Sequence, residues 1–455
     1  MSNLPDDWKE YPLNELYDFR SGLSKPRSEF GFGYGFLSFK DVFYNFFVPD
    51  KLSELVNSTE QERQSCSIKK GDVFLTRTSE TMDELGMSCI ALKDYEGATF
   101  NGFTKRLRPK INISIIPEYA GYFFRSPKFR YEVTAMSSLC TRASLNNEML
   151  GRLKIILPSI EEQSAIGYIL KSLDDKIELN QQMNQTLEAI ARAIFKSWFV
   201  DFDPVRAKMA GKQPVGMDAA TANLFPDSFE ESALGLIPKG WKVGTFANLA
   251  EINKGDIVDG PFGSNLKSSD YTETGTRLIH QENIQEFRFI DDKKRFTFYE
   301  KAETLQRSVA YPNDIVLTKM PAPITRATII PKGIADKFII MADCIRVRPY
   351  QDITPNTYLL YLINNPLFRQ EALSRATGTT RPRINLTQVK SIQVIIPPVS
   401  ARLAFNKLVE PLEKKREAVY HESRTLANIR DTLLPKLMSG EIRVKEAETI
   451  IKEVN

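Results

Sequence analysis

The sequence predicts a mixed α/β protein in which two globular α/β domains are joined by two long antiparallel coiled-coil helices, forming an internal pseudo-twofold repeat. Three observations carry this reading. Short motifs recur at a nearly constant offset, each copy ends in a long stretch with a heptad seam, and the composition is that of a soluble globular chain. The 455 residues suffice for two or three cores, with 42% hydrophobic and 26% charged side chains.

The repeat is read from matched fragments. Leu4-Pro5-Asp6-Asp7-Trp8-Lys9 resembles Ile237-Pro238-Lys239-Gly240-Trp241-Lys242 at an offset of 233. Gly71-Asp72-Val73-Phe74-Leu75-Thr76-Arg77 resembles Asn313-Asp314-Ile315-Val316-Leu317-Thr318-Lys319 at 242, and Arg106-Leu107-Arg108-Pro109 matches Arg346-Val347-Arg348-Pro349 at 240. From Ser126-Pro127 on Asn365-Pro366 the offset holds at 239, through Thr141-Arg142 on Thr380-Arg381 and Lys154–Pro158 on Gln393–Pro397. An offset that grows early and then holds describes two diverged copies with one early insertion. The extra residues are expected to include the turn-rich run 259–264.

Each copy divides in two. The first parts, 1–158 and 238–398, carry short β-branched and aromatic runs between Gly, Pro, Asn and Asp, the pattern of a mixed domain with many short strands. The second parts, 159–200 and 399–440, are rich in Leu, Ile, Ala, Glu, Lys and Gln and read as helices. Their seams alternate threes and fours. Ile166, Ile169, Leu173, Lys176, Asn180, Met183, Leu187, Ile190, Ile194 and Trp198 mirror Phe405, Leu408, Leu412, Lys415, Val419, Glu422, Leu426, Ile429, Leu433 and Leu437.

Each helix simply covering its own domain is the plainer alternative. Against it, such a helix is about 55 Å long at ~1.5 Å per residue, more than a domain of this size buries. The seam of the other copy is the nearest matching partner, and an antiparallel pairing is expected. Lys176, Asn180, Lys415 and Glu422 weaken that seam and fix its register. Pairing of Lys176 or Lys415 with Glu422 is anticipated, so that Lys415→Leu stabilises the pair while loosening register. Pro435 is expected to end the second helix short of the position matching Trp198. Residues 201–237 read as a surface connector, and 441–455 as a C-terminal tail.

Composition excludes several classes. Cys66, Cys89, Cys140 and Cys344 stand alone without C-x-x-C spacing and read as reduced thiols, and with only His280 and His421 no His/Cys zinc site is expected. A net charge of +4 permits nucleic-acid binding without demanding it. No apolar run approaches the ~20 residues of a membrane span, and the N-terminus lacks a signal pattern, so a cytoplasmic location is expected. There is no phosphate-binding G-x-x-x-x-G-K-[ST] loop. The glycines of 30–36 have the wrong spacing for a dinucleotide fingerprint and read as a turn. Asn365-Pro366-Leu367-Phe368 lacks the second proline of the amino-methyltransferase N-P-P-[FY] signature, and no Ser/His/Asp or Cys/His group is present. The chain is expected to catalyse nothing alone.

Four stretches point to a family. Leu157-Pro158-Ser159-Ile160-Glu161-Glu162-Gln163 opens the first long helix and Phe199-Val200-Asp201-Phe202-Asp203-Pro204-Val205 closes it. Leu234-Gly235-Leu236-Ile237-Pro238-Lys239-Gly240-Trp241 enters the second domain, and Leu433-Leu434-Pro435-Lys436-Leu437-Met438-Ser439-Gly440-Glu441-Ile442 lies near the end. Together with the duplication, they resemble the specificity subunit of Type I restriction–modification enzymes over essentially the whole chain. The resemblance implies two target-recognition domains, each reading half of a split duplex target, with helices that set the spacing and bind two methyltransferase subunits. It also implies that S-adenosylmethionine, ATP and magnesium are used only by partners. These are the adenine methyltransferase and the restriction/translocase subunits of a phage-defence system; the chain itself carries no cofactor. A coiled-coil adaptor that joins proteins without reading DNA stays open as the second reading; a stand-alone nuclease or methyltransferase is remote.

Base reading needs polar side chains on loops or strands, and phosphate binding needs Arg, Lys and amides. Matched positions are the candidates for shared backbone contacts: Arg77 with Lys319, and Arg142 with Arg381. Unmatched segments supply candidates for base reading: Ser24, Lys25, Arg27 and Lys40 in the first copy, and Ser264, Asn265, Lys267, Gln281, Asn283 and Arg383 in the second. The simpler reading of each matched residue is a solvated surface cation or, for Arg106 and Arg346, a strand residue paired within its own sheet. The aromatic residues of 30–36 serve either the core or a stacking surface.

Overall fold

The computed structural model describes residues 4–78, 84–137, 145–320, 323–378 and 380–454. The chain forms two compact units, Met1–Gln182 with Val419–Asn455, and Met183–Ala418.

In the first unit a four-stranded antiparallel sheet runs in the order Tyr17–Ser21, Thr104–Pro109, Val73–Thr76, Ser88–Ile90. All four residues of Val73–Thr76 are buried, because side chains alternate between two cores on opposite faces. Val73 and Leu75 join Leu16, Leu107 and Phe124, while Phe74 joins Leu37, Val42 and Phe100. Glu54–Val56, Phe30–Leu37 and Thr99–Phe100 make a smaller sheet. Lys9–Pro12 pairs with Lys154–Leu157, tying the start of the chain to the strand that leads into the first long helix.

The second unit repeats this plan. Its four-stranded sheet runs Ile257–Asp259, Cys344–Val347, Ile315–Thr318, Ala327–Ile329, again antiparallel. Ile315 and Leu317 face one core and Val316 the other. Lys242–Thr245 pairs with Gln393–Ile396 as its counterpart does. Both sheets carry the same lock: Arg108 grips Asp72 through two bonds of 2.6 and 2.7 Å, and Arg348 grips Asp314 through two of 2.5 and 2.7 Å. Arg106 and Arg346 are buried and donate to the Ser67 and Val309 carbonyls, so both belong to the framework of their sheets.

The register corrects the expectation of one insertion. Leu13 and Phe246, bonded to Leu153 and Ile392, stand 233 apart. Arg20 and Val258, opposite Arg106 and Arg346, stand 238 apart; Leu37 and Ile279, parallel to Phe100 and Ile340, stand 242 apart. The extra residues therefore enter both before Val258 and between Asp259 and Ile279, a segment that adds the strand Tyr271–Thr272 to a sheet of five strands where the first unit has three.

The long helices span Ile160–Phe199 and Val399–Ser439. In the first unit Asp174 bonds Arg430 and Asn180 bonds Glu422, numbers rising on one helix as they fall on the other, which is an antiparallel pairing. In the second unit Glu188 bonds Arg416 while Phe199 packs on Phe405, with the same sense. Each helix also covers its own domain: Ile166, Ile169 and Leu173 share a core with Tyr119 and Tyr122. The two readings of the helices were thus not exclusive. The helix passes through Pro411 and Pro435, correcting the expected early stop. Each proline withholds one amide donor, a local loss that the packed apolar face overrides, around Phe405 and Val409 for Pro411 and around Leu433 and Leu437 for Pro435.

Side-chain placement along the seam is uneven. Leu173, Leu426 and Leu433 are buried, Leu187, Ile194 and Leu412 half-buried. Lys415 is exposed, and Arg416 occupies the inward position beside it; likewise Ala191 and Phe195 face inward where Ile190 and Ile194 were expected. A 3.6-residue helix drifts against a 3.5-residue repeat, and in the second unit the inward stripe has moved by one residue. Residues 201–237 contain the helix Asp203–Met209 and a hairpin of Phe229–Ser232 with Gly235–Pro238. Phe202, Val205 and Phe225 bury themselves beside Trp198 and Trp241, so this segment is packed rather than a bare surface connector.

Candidate nucleic-acid interface

Arg77 and Lys319 follow equivalent central strands. Their amides donate to the Phe103 and Asp343 carbonyls, and their own carbonyls accept from Leu145 and Ile384. Identical backbone roles end in different side-chain environments. Lys319 is 1% exposed, with its ammonium 3.5 Å from Asp259 and 4.8 Å from the Phe262 ring centre. Burial lowers its pKa, and Asp259 opposes that shift. Arg77 is half-buried, and its Nε is buried with no hydrogen-bond partner in the described residues.

Beside Arg77 lies Lys105, a residue that the reading of matched motifs passed over. It stands opposite Leu75 on one side and Ser21 on the other. Lys105 is 8% exposed, and its Nζ donates to Asn147 Oδ1 at 2.7 Å. Burial lowers its pKa, and the neighbouring charge of Arg77 lowers it further. A signal was present in the sequence: the equivalent residue of the second copy is Ile345, so Lys105 is a charge on a core-facing position.

The other predicted positions scatter. Ser24, Arg27 and Lys40 are exposed in the first unit, and Lys25 pairs with Glu62 at 2.9 Å. Arg142 lies outside the described residues. In the second unit Asn265 and Lys267 are exposed around the turn Gly263–Asn265; the side chain of Ser264 lies outside the described residues. Arg381 and Arg383 are exposed, the latter 3.0 Å from Asp343. Gln281 is half-buried.

Asn283 and Lys319 are corrected by their surroundings. Asn283 is buried, its Oδ1 accepting from His280 N and its Nδ2 donating to the Ile290 and Lys293 carbonyls, so its polar atoms are spent on a capping box. Lys319 is closed in by Asp259. Nearby, burial and the charge of Arg295 hold the His280 imidazole below its ordinary pKa.

Two aromatic residues of the glycine-spaced strand Phe30–Leu37 point outward. Phe32 is 51% exposed and Tyr34 carries the Arg63 guanidinium at 3.8 Å, while Phe36 is buried. The expectation of a plain turn gives way to a strand whose first half, with Phe32 and Tyr34, is exposed and whose last residues, Phe36 and Leu37, enter the core. Among the described residues no three His, Cys, Asp or Glu side chains gather as metal ligands. Cys66, Cys89 and Cys344 are free and buried, with burial pushing the Cys344 thiol up to about 12. No described helix is long and apolar enough to cross a membrane.

Comparison with known proteins agrees with this duplicated architecture. The chain is 25% identical over 98% of its length to the Type I restriction enzyme MjaIX specificity subunit of Methanocaldococcus jannaschii, covering 96% of that protein. It is 26% identical over 96% of its length to the HindI specificity subunit of Haemophilus influenzae, covering all of it. Its fold matches the crystal structure of a Type I restriction–modification S subunit from M. genitalium with a TM-score of 0.56, at 14% identity, over 96% of this chain and 97% of that one. Residues 5–189 and 238–408 each match the model of the Type I restriction modification DNA specificity domain, and with more than half of its length so matched the chain belongs to that family.

Proposed function

We propose that this chain reads a bipartite duplex target, one half-site per domain, and directs adenine methylation and restriction by two methyltransferase subunits and the restriction/translocase subunits. The observation that carries it is duplication with divergence: two sheets of one topology and one arginine–carboxylate lock, with different loops around Ser24 and Asn265. A shared framework with unlike loops suits a protein that reads two unlike sequences by a common geometry. The target-recognition domains are 1–158 and 238–398, with spacing set by 159–200 and 399–440. Arg27, Lys40, Lys267, Arg381 and Arg383 are the exposed cations that would reach the duplex, with Ser24 and Asn265 beside them. With this function the protein would act in the cytoplasm.

Methylome sequencing of the source cell is the direct test. The expected result is one split motif whose methylation disappears when this gene is deleted. A second experiment replaces residues 1–158 by the equivalent domain of a relative and should change one half-site only. Unaltered methylation in the deletion strain, together with capture of proteins but no preferred duplex, would establish the adaptor reading instead.

A further inference from the structure

Lys105 and Arg77 lie on one face of the first sheet, since residue 77 is level with 103 and residue 75 with 105, and side chains alternate every second residue. Two cations are thus set side by side in a largely buried place, and among the described residues neither has a carboxylate partner. Lys105 spends one ammonium donor on a neutral amide; Arg77 Nε has none. Burying cations without a counter-charge is costly, and the second unit shows the usual remedy. There Asp259 stands at the position of Ser21, and it neutralises Lys319. The first unit has kept a hydroxyl at that position and doubled the positive charge. The exposed Phe103, level with Arg77, leaves this face open at its edge.

From this contrast we infer that Arg77 and Lys105 form an oxyanion site in the first domain, occupied by one phosphodiester of bound DNA, for which the second domain substitutes the internal carboxylate of Asp259. This rests on the DNA-reading function proposed above and makes it asymmetric: the matched framework position holds a phosphate in one domain and closes on itself in the other. The contact is blind to sequence and fixes register for the neighbouring loops.

The test is the salt dependence of duplex binding by the full-length chain in the complex it forms. Two duplexes are used, one with the target found by methylome sequencing and one scrambled. Each phosphate contact contributes about 0.9 to the slope of log affinity against log salt. Arg77→Gln and Lys105→Gln should each make the slope shallower by about that amount on both duplexes, Arg77→Lys should keep it, and Lys319→Gln should leave it unchanged. Ser21→Asp, which supplies the first domain with the carboxylate of the second, should mimic Lys105→Gln without emptying the site, and carries the test if Lys105→Gln fails to fold. A steep wild-type slope untouched by Arg77→Gln and Ser21→Asp overturns the site and leaves DNA reading standing. Absence of salt-dependent binding in the wild type overturns both. A slope lost equally in Lys319→Gln overturns the asymmetry. If inorganic phosphate alone raises the melting temperature of wild type but not of Ser21→Asp, with DNA slopes equal, the site takes free anions and the proposal fails.

Discussion

Gly22 and Gly260 follow matched strands and press against matched backbones. A Cβ on Gly22 would lie 2.3 Å from the Asn101 carbonyl oxygen, and one on Gly260 2.1 Å from that of Met341. Neither obstacle is a movable side-chain tip, so Gly22→Ala and Gly260→Ala should each cost about 1–3 kcal/mol, read as a lower urea midpoint with an unchanged slope. A substitution tolerated within 0.5 kcal/mol would mean that the strands separate more easily than the contacts imply. Nothing local in the sequence marks these two glycines, because what crowds them arrives about eighty residues later. The same reason hid the burial of Lys319: its counter-ion, Asp259, is 60 positions away. By contrast the Arg-x-Arg-Pro match was legible, since Arg108 and Arg348 follow Asp72 and Asp314 at nearly equal spacings of 36 and 34 residues and make the same lock.

Between residue and domain, the joints of domain to helix are also duplicated. Tyr122 donates to Asp174 at 2.6 Å and Tyr361 donates to Glu413, each tyrosine 239 residues from its counterpart and each carboxylate likewise. Arg430 completes the first joint and Arg416 the second. Burial pushes both phenols well above their ordinary pKa, so each stays a proton donor throughout the accessible pH range. Tyr122→Phe and Tyr361→Phe should therefore each cost about 1.5–3 kcal/mol, the range for a hydrogen bond to a charged group, with little dependence on pH from 6 to 9. Equilibrium unfolding at three pH values checks this; a loss confined to one variant would show that the joints are not equivalent. The helices themselves were legible as periodicity, but not where their stripe shifts, because a one-residue drift depends on which neighbour packs. Lys415 shows the consequence. It is exposed, so Lys415→Leu should change stability by less than about 0.5 kcal/mol rather than raise it. Of the polar residues expected on the seam, Asn180 is the buried one, 0% exposed, with Nδ2 on Glu422 at 2.9 Å and Oδ1 without a partner among the described residues, while Lys176 makes the anticipated ion pair with Glu422 at 3.4 Å. Asn180→Leu is the substitution that should raise the melting temperature, and spin labels across the helix pair should then report more than one distance as register loosens.

At the scale of the chain, both units draw on both helices. Residues up to Gln182 and from Val419 serve the first unit, and Met183 to Ala418 the second. The fold class and duplication were legible at this scale because a repeat leaves its mark in numbering alone; the two separate insertions were not, since only strand pairing locates them. The positions 182/183 and 418/419 divide the cores cleanly: no residue of either unit's large core belongs to the other. Four residues inserted at both positions add about one turn, or ~6 Å, to each helix. If the helices measure the gap between half-sites, as proposed, methylome sequencing of a strain carrying this variant should show both half-sites retained and the spacer longer by about two base pairs, at ~3.4 Å each. Equal insertion in both helices keeps the pairing inside each unit, so stability should change little, whereas insertion in one helix alone shifts the partner seam and should destabilise both. A variant that folds but methylates with the original spacer would remove the ruler from the helices and place it in partner subunits. One that changes a half-site would show that the helices take part in reading.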